Sequence, residues 1–146
     1  MSNLSAFLHP VTTQEEKEVF VSKRFVKRDE DGNPILGPDG KPIPEPFKIR
    51  PLTQEEIDRI SKQSTRRSKE GGKYTDTVDS AAFTRSVIVA ATVSPDFRDA
   101  ELCSAYGVLD PAMVAPKMLN PGEYSRLLKE IMAASGFDDL EDDVKN

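Results

Sequence analysis

The sequence has no tryptophan, a single cysteine (Cys103) and a single histidine (His9) among 146 residues. One cysteine excludes an intrachain disulfide and any cysteine-cluster metal site, and it suits a reducing compartment. One histidine leaves no His-Glu-x-x-His pair, and neither a Gly-x-Ser-x-Gly elbow nor a phosphate-binding loop is present. No run approaches 18 apolar residues, so no membrane-spanning helix is expected. The opening Met1-Ser2-Asn3-Leu4-Ser5 lacks the charged start and apolar stretch of a signal peptide. An intracellular protein without a catalytic centre, cofactor or metal is the expectation. Apolar residues make up only 37% of the chain, so the core is modest for one domain.

What the sequence has in quantity is charge, 31% of its residues, with a net value of −5. Residues 1–73 hold 14 basic and 12 acidic side chains, whereas residues 74–146 hold 6 and 13. An acidic second half argues against a chain built to wrap nucleic acid. Eleven prolines and eight glycines gather in a few stretches, which marks those as loops.

Residues 1–17 mix apolar positions with His9-Pro10 and read as a flexible arm with at most one short helical turn. From Glu18 to Lys27 the run is β-branched and aromatic, with Val19, Val21 and Phe25 on one face and Phe20 and Val26 on the other. Turn formers follow, and Asp31-Gly32-Asn33-Pro34-Ile35 recurs eight residues later as Asp39-Gly40-Lys41-Pro42-Ile43. Phe47-Lys48-Ile49-Arg50 then alternates and reads as the returning strand of a long hairpin over residues 18–52. Asp29, Asp31 and Asn33 have the spacing of calcium-loop oxygens. Proline stands at position 34 where such a loop needs glycine, and glycine at position 40 where it needs glutamate, so a solvated turn is expected.

Helices dominate from residue 53 to 137. Thr53 and Glu56 form a capping box for a helix to about Thr65. Arg66 to Tyr74, with Gly71-Gly72, reads as a basic flexible loop. Asp79 or Ser80 caps a mostly apolar central helix from Ala81 to about Val93. Asp99 starts a short helix that closes at Gly107, and Asp110-Pro111 starts another. Asn120-Pro121-Gly122-Glu123 opens the last helix with a second capping box. There Tyr124, Leu127, Leu128, Ile131 and Met132 form an apolar stripe at i, i+3, i+4, i+7, i+8. Residues 138–146 form an acidic tail. The expected architecture is α+β: one domain over 18–137, with an N-terminal antiparallel β-hairpin and a C-terminal bundle of about five helices.

Cys103, beside Leu102 and Ala105, reads as a buried inert thiol. The cluster Arg59, Lys62, Arg66, Arg67, Lys69 and Lys73 reads first as a solvated face, then as a partner-docking surface. Least of all does it read as a nucleic-acid site, since Asp58 and Glu70 interrupt it and only Tyr74 could stack on a base. Lys23, Arg24 and Arg50 add charge on the paired strands. The candidate partner-binding residues are therefore Lys23, Arg24, Arg50, Arg66 and Arg67.

The order of these segments resembles the XkdN-like family of phage tail assembly chaperones. The residues that carry the likeness are Ser22-Lys23-Arg24-Phe25, Asp31-Gly32-Asn33-Pro34, Ile49-Arg50-Pro51-Leu52-Thr53 with Glu55-Glu56, and Thr65-Arg66. Further along come Pro95-Asp96-Phe97, Asp99-Ala100-Glu101-Leu102, Tyr106-Gly107-Val108, Met118-Leu119, Pro121-Gly122-Glu123-Tyr124 and Gly136-Phe137-Asp138. They span about residues 20–138 in colinear order. The family's hairpin is usually shorter, and residues 35–46 extend it here with the second Asp-Gly-x-Pro-Ile unit.

The resemblance implies a non-enzymatic protein of the bacterial host cytoplasm, absent from the mature virion. It would bind the tape-measure protein, keep it soluble and help recruit tail-tube subunits, with no nucleic-acid or membrane partner and with homo-oligomerisation left open. The alternatives are a structural tail component retained in the virion and a nucleic-acid-binding regulator using residues 59–73.

Overall fold

The computed structural model describes residues 3–11 and 15–137. The acidic tail expected at 138–146 lies outside the described residues. Near the N-terminus, α1 (Leu4–Leu8) is the single short helical turn expected, and none of its residues is buried. Strands β1 (Lys17–Val19) and β2 (Phe47–Ile49) pair antiparallel, with Lys17 opposite Ile49 and Val19 opposite Phe47. The expected alternation holds at this edge: Val19 and Val21 are buried while Phe20 is exposed. A third strand, β5 (Thr92–Ser94), pairs with the other side of β2 and makes the sheet order β1-β2-β5.

The stretch between β1 and β2 differs from a long two-stranded hairpin, because its two Asp-Gly-x-Pro-Ile units build a three-way junction. Ile35 N–H donates to the Lys27 carbonyl (2.8 Å), Ile43 N–H to Ile35 (3.0 Å) and Lys27 N–H to Ile43 (2.8 Å), closing a ring of three residues spaced by eight. Single bridges join Val26 to Pro44, Arg28 to Pro34 and Leu36 to Pro42. Proline has no N–H to donate, so each contact at a proline stays a single bridge and does not extend into a ladder. The duplication thus makes two matching turns, with Asp29 N–H donating to Asn33 (2.9 Å) and Gly37 N–H to Lys41 (2.8 Å).

Helix α2 (Gln54–Gln63) starts at Thr53, which closes the expected capping box with Glu56. Residues 65–78 then form a second β-hairpin in place of the flexible loop the sequence suggests. Strand β3 (Thr65–Glu70) pairs with β4 (Lys73–Val78) from Thr65 opposite Val78 to Glu70 opposite Lys73. Gly71 and Gly72 have φ of 58° and 80°. Two consecutive left-handed residues are what a tight two-residue hairpin turn needs. Every residue of β3 and β4 is exposed, so this ribbon has no buried face and none of the apolar alternation by which strands are recognised in a sequence.

Helix α3 (Ser80–Ala91) starts at Asp79, whose carboxylate accepts from the N–H groups of Ala81 and Ala82. It ends earlier than its apolar run suggests. Thr92 turns extended and begins β5, while Arg50 N–H donates to the Ala91 carbonyl (2.8 Å). Helix α4 (Ala100–Ala105) is capped by Asp99. Asp110 caps a 3-10 turn at Pro111–Met113 that leads into α5 (Val114–Met118). Helix α6 (Pro121–Ala134) closes the chain with the second capping box, between Asn120 and Glu123. The fold is α+β as expected, although the region read as purely helical also contains β3, β4 and β5.

The core forms where α3 and α6 lie against the sheet. Val21, Ile49, Val87, Ile88, Ala91, Phe97, Val114, Leu127 and Ile131 are fully buried there. Tyr124, Leu128 and Met132 pack as half-buried flanks of the α6 stripe. Truncating such a side chain loses transfer free energy and leaves a cavity. Ile131→Ala is expected to lower unfolding free energy by about 2–5 kcal/mol in urea denaturation. Replacing residues 65–78 with a short Gly-Ser linker is expected to cost less than Ile131→Ala, since no apolar side chain of the ribbon is buried.

Candidate functional site: Arg–carboxylate braces and partner-facing surfaces

The five basic residues singled out by sequence do not converge on one patch. Three of them sit at helix starts. Arg24 grips Glu123 with Nε to Oε2 at 3.0 Å and Nη2 to Oε1 at 2.5 Å, and Nη2 also donates to the Met118 carbonyl at 2.9 Å. Its guanidinium lies 4.9 Å from the Phe25 ring centroid. Glu123 is 6% exposed. Its carboxylate also accepts from Asn120 N–H (2.9 Å), while its own N–H donates to Asn120 Oδ1 (3.0 Å). A buried carboxylate of this kind persists because every side of it is bonded. Arg126 adds a second tie, with Nη1 donating to the Val21 carbonyl at 2.8 Å.

Arg50 repeats the device at α2. Its Nη1 and Nη2 meet Glu56 Oε1 and Oε2 at 3.1 and 2.6 Å, and Glu56 Oε1 also accepts from Thr53 N–H at 3.1 Å. Leu52 N–H donates to Ser135 Oγ (3.0 Å), which ties the start of α2 to the end of α6. Arg66 pairs with Asp79, the cap of α3. The pairing partners, Glu56, Asp79 and Glu123, were read in the sequence only as caps.

Hydrogen bonding lowers all three acids. Glu123 is held at about 2, against an ordinary 4.5, chiefly by Arg24; burial opposes this and the bonds from Ser22 and Asn120 assist. Glu56 is held at about 2, first by Arg50, with burial opposing and Thr53 assisting. Asp79 is lowered chiefly by the Ala82 N–H, with burial opposing and Arg66 assisting.

Arg67 and Lys23 face outward. Arg67 Nε bonds Asp76 Oδ1 at 3.3 Å across the ribbon and lies 5.5 Å from the Tyr74 ring centroid, with Lys69 Nζ at 5.7 Å from the same ring. Register places Thr65, Arg67, Lys69, Tyr74, Asp76 and Val78 on one face of the ribbon. That face is water-exposed, yet it carries an aromatic ring framed by two cations. Lys23 is exposed next to Arg24 and enters no ion pair with any described residue.

Two of the concave surfaces lie against α3. One, of about 590 Å³, lies between α3 and the start of α6 and is walled by Ala81, Thr84, Arg85, Leu119, Pro121 and Tyr124. Burial pushes the Tyr124 hydroxyl up, opposed by Arg85. The other lies between α2, α3 and residues 98–112. Cys103 is buried as expected, and its Sγ donates to the Phe97 carbonyl at 3.3 Å. Among the described residues no group of three or more His, Cys, Asp or Glu side chains could hold a metal, and no helix is long and apolar enough to cross a membrane.

The braces give a pH signature. Glu56 and Glu123 have folded values below their unfolded ones, so their contribution is present above about pH 4.5 and is lost as pH falls toward 2. Thermal unfolding followed by circular dichroism is expected to show a steep loss of midpoint between pH 5 and 2. The Glu56→Gln/Glu123→Gln variant is expected to be less stable at pH 7 and flatter across that window. In a double-mutant cycle, Arg24→Ala and Glu123→Gln are expected to be strongly non-additive.

The sequence pattern described as the phage XkdN-like tail assembly chaperone protein matches residues 4–146. The chain is 36% identical over 152 aligned positions to the phage-like element PBSX protein XkdN of Bacillus subtilis strain 168, covering 99% of this chain and 94% of that protein. It is also 36% identical over 151 positions to the protein YqbN of the same strain, covering 99% and 93%. The crystal structure of the protein YqbN superposes with a TM-score of 0.68 at 33% identity, covering 94% of this chain and 99% of that one. Full-length sequence identity and a shared fold agree: this chain belongs to the XkdN-like family of phage tail assembly chaperones.

Proposed function

We propose that this chaperone binds the tape-measure protein in the bacterial cytoplasm, keeps it soluble and helps bring tail-tube subunits to it, without catalysis and without remaining in the mature virion. Membership of the chaperone family is the observation that carries the reading. The physical fit is direct. A tape-measure protein is a long chain whose helical apolar stripes would associate with one another if left bare. A holder for such stripes needs reversible contacts, charge for solubility and no reactive centre. This chain offers a net charge of −5, a fully exposed β-ribbon at 65–78 and a groove between α3 and α6 with apolar walls.

Three of the five basic candidates are occupied in bracing helix starts, so the contact role falls on the surfaces those braces support. Arg24 and Arg50 matter through the fold. Arg67, Lys69 and Tyr74 lie exposed on the ribbon face, where a partner could reach them.

Co-expression with the tape-measure protein of the same tail gene cluster is expected to move that protein from the insoluble to the soluble fraction and to co-purify it. Mass spectrometry of mature particles is expected to find the chaperone absent. A tape-measure protein that is neither bound nor solubilised contradicts the reading, and stoichiometric chaperone in particles would make it a structural tail component.

A further inference from the structure

The second concave surface, about 380 Å³, runs beside α2 with Arg59 and Ile60 on one wall, Val89 and Ala90 of α3 beneath, and Arg98 and Pro111 opposite. Its charged groups are of two kinds. Arg50 and Glu56 satisfy each other at one end, and Asp110 is engaged as a cap, accepting from Ala112 N–H at 3.0 Å. Arg59 and Arg98 line the same cleft and their guanidinium groups meet no carboxylate among the described residues. The uncharged lining between them is mixed: buried Ile60 and half-buried Val89 and Ala90 stand beside Gln63 and Ser86.

Two guanidinium groups without a carboxylate partner, with Ile60, Val89 and Ala90 near them, match a segment that presents carboxylates beside aliphatic side chains. Each fork can take a carboxylate in two parallel bonds, while the aliphatic groups cover the apolar side chains. A nucleic-acid backbone fits less well. No aromatic ring lines the cleft to stack on a base, and two arginines without a carboxylate partner offer little to a continuous line of phosphates.

We propose that this cleft seats an acidic, apolar-striped helix of the protein the chaperone holds, with Arg59 and Arg98 taking its carboxylates. The partner's identity as the held protein rests on the function proposed above, whereas the chemistry rests on the cleft alone. Recognition of this type orients a helix as well as binding it, because the carboxylates fix its register on the two arginines while the stripe is shielded from water.

The test uses the full chain and Arg59→Gln/Arg98→Gln, two exposed positions whose substitution leaves the core intact. Fluorescence polarisation compares a labelled helical peptide with glutamates and leucines on one face, its lysine-for-glutamate counterpart, and a single-stranded DNA 20-mer. The wild type is expected to bind the acidic peptide alone, with affinity falling as salt rises and dropping about 10-fold or more in the variant. Equal binding by the variant, no binding by the wild type, or preference for DNA overturns the proposal. The tape-measure pull-down separates this from the broader reading. If the variant holds that protein as well as the wild type does, the cleft is overturned as its seat and the chaperone reading stands. If the wild type holds no tape-measure protein yet binds the acidic peptide through these arginines, the chaperone reading fails and the acidic-helix seat survives.

Discussion

Three helices of this protein begin on a carboxylate that an arginine from a neighbouring segment reaches: Glu56 by Arg50 at α2, Asp79 by Arg66 at α3 and Glu123 by Arg24 at α6. The start of a helix leaves N–H groups unpaired and favours negative charge. An acid placed there satisfies the helix but carries a charge that burial penalises, and an arginine removes the penalty. With a modest apolar complement, the chain uses these contacts to set how helices meet the β segments. Arg24–Glu123 spans 99 positions and joins the segment after β1 to the last helix. Arg50–Glu56 is local and fixes the turn from β2 into α2. The sheet, α3 and α6 can then close over Ile49, Ile88 and Leu127 in a defined order.

Many of the residues that carry the family likeness are tied into these braces. Ser22-Lys23-Arg24-Phe25 and Pro121-Gly122-Glu123-Tyr124 lie far apart in sequence and meet in one bonded cluster, with Ser22 also helping to depress Glu123. Ile49-Arg50-Pro51-Leu52-Thr53 and Glu56 form the second cluster, which Leu52 extends to Ser135. Such motifs specify a scaffold. The ribbon, the groove and the arginine-lined cleft, which the scaffold holds in place, are the proposed contact surfaces.

Much of this was legible in the sequence where a local rule applies. Both capping boxes and the aspartate caps at 79, 99 and 110 follow from short-range chemistry, as does the stripe on α6, and all are present. The ribbon was not legible, because Thr65 to Val78 is wet on both faces and leaves no alternation; only Gly71-Gly72 marked it as a turn. Strand β5 was hidden because Thr92 and Val93 continue an apolar helical run, and the choice to leave the helix is made by pairing with β2, a tertiary contact. The duplicated Asp-Gly-x-Pro-Ile units were visible as a repeat, but their three-way closure depends on hydrogen bonds between residues 27, 35 and 43. Among the candidate residues, Arg24 and Arg50 were marked by charge alone, and sequence gave no sign that Glu123 and Glu56 already occupied them.

Braced helix starts hold the scaffold, and the proposed partner surfaces are the exposed ones around α2, the ribbon, the α3–α6 groove and residues 96–112. Hydrogen–deuterium exchange of the chaperone alone and in complex with the tape-measure protein tests this division most directly. The account predicts new protection in peptides covering 54–78 and 96–112, with α6 from 126 to 134 already slow to exchange and unchanged. Protection gained chiefly along 126–134, with 54–78 and 96–112 exchanging as in the free protein, would contradict it.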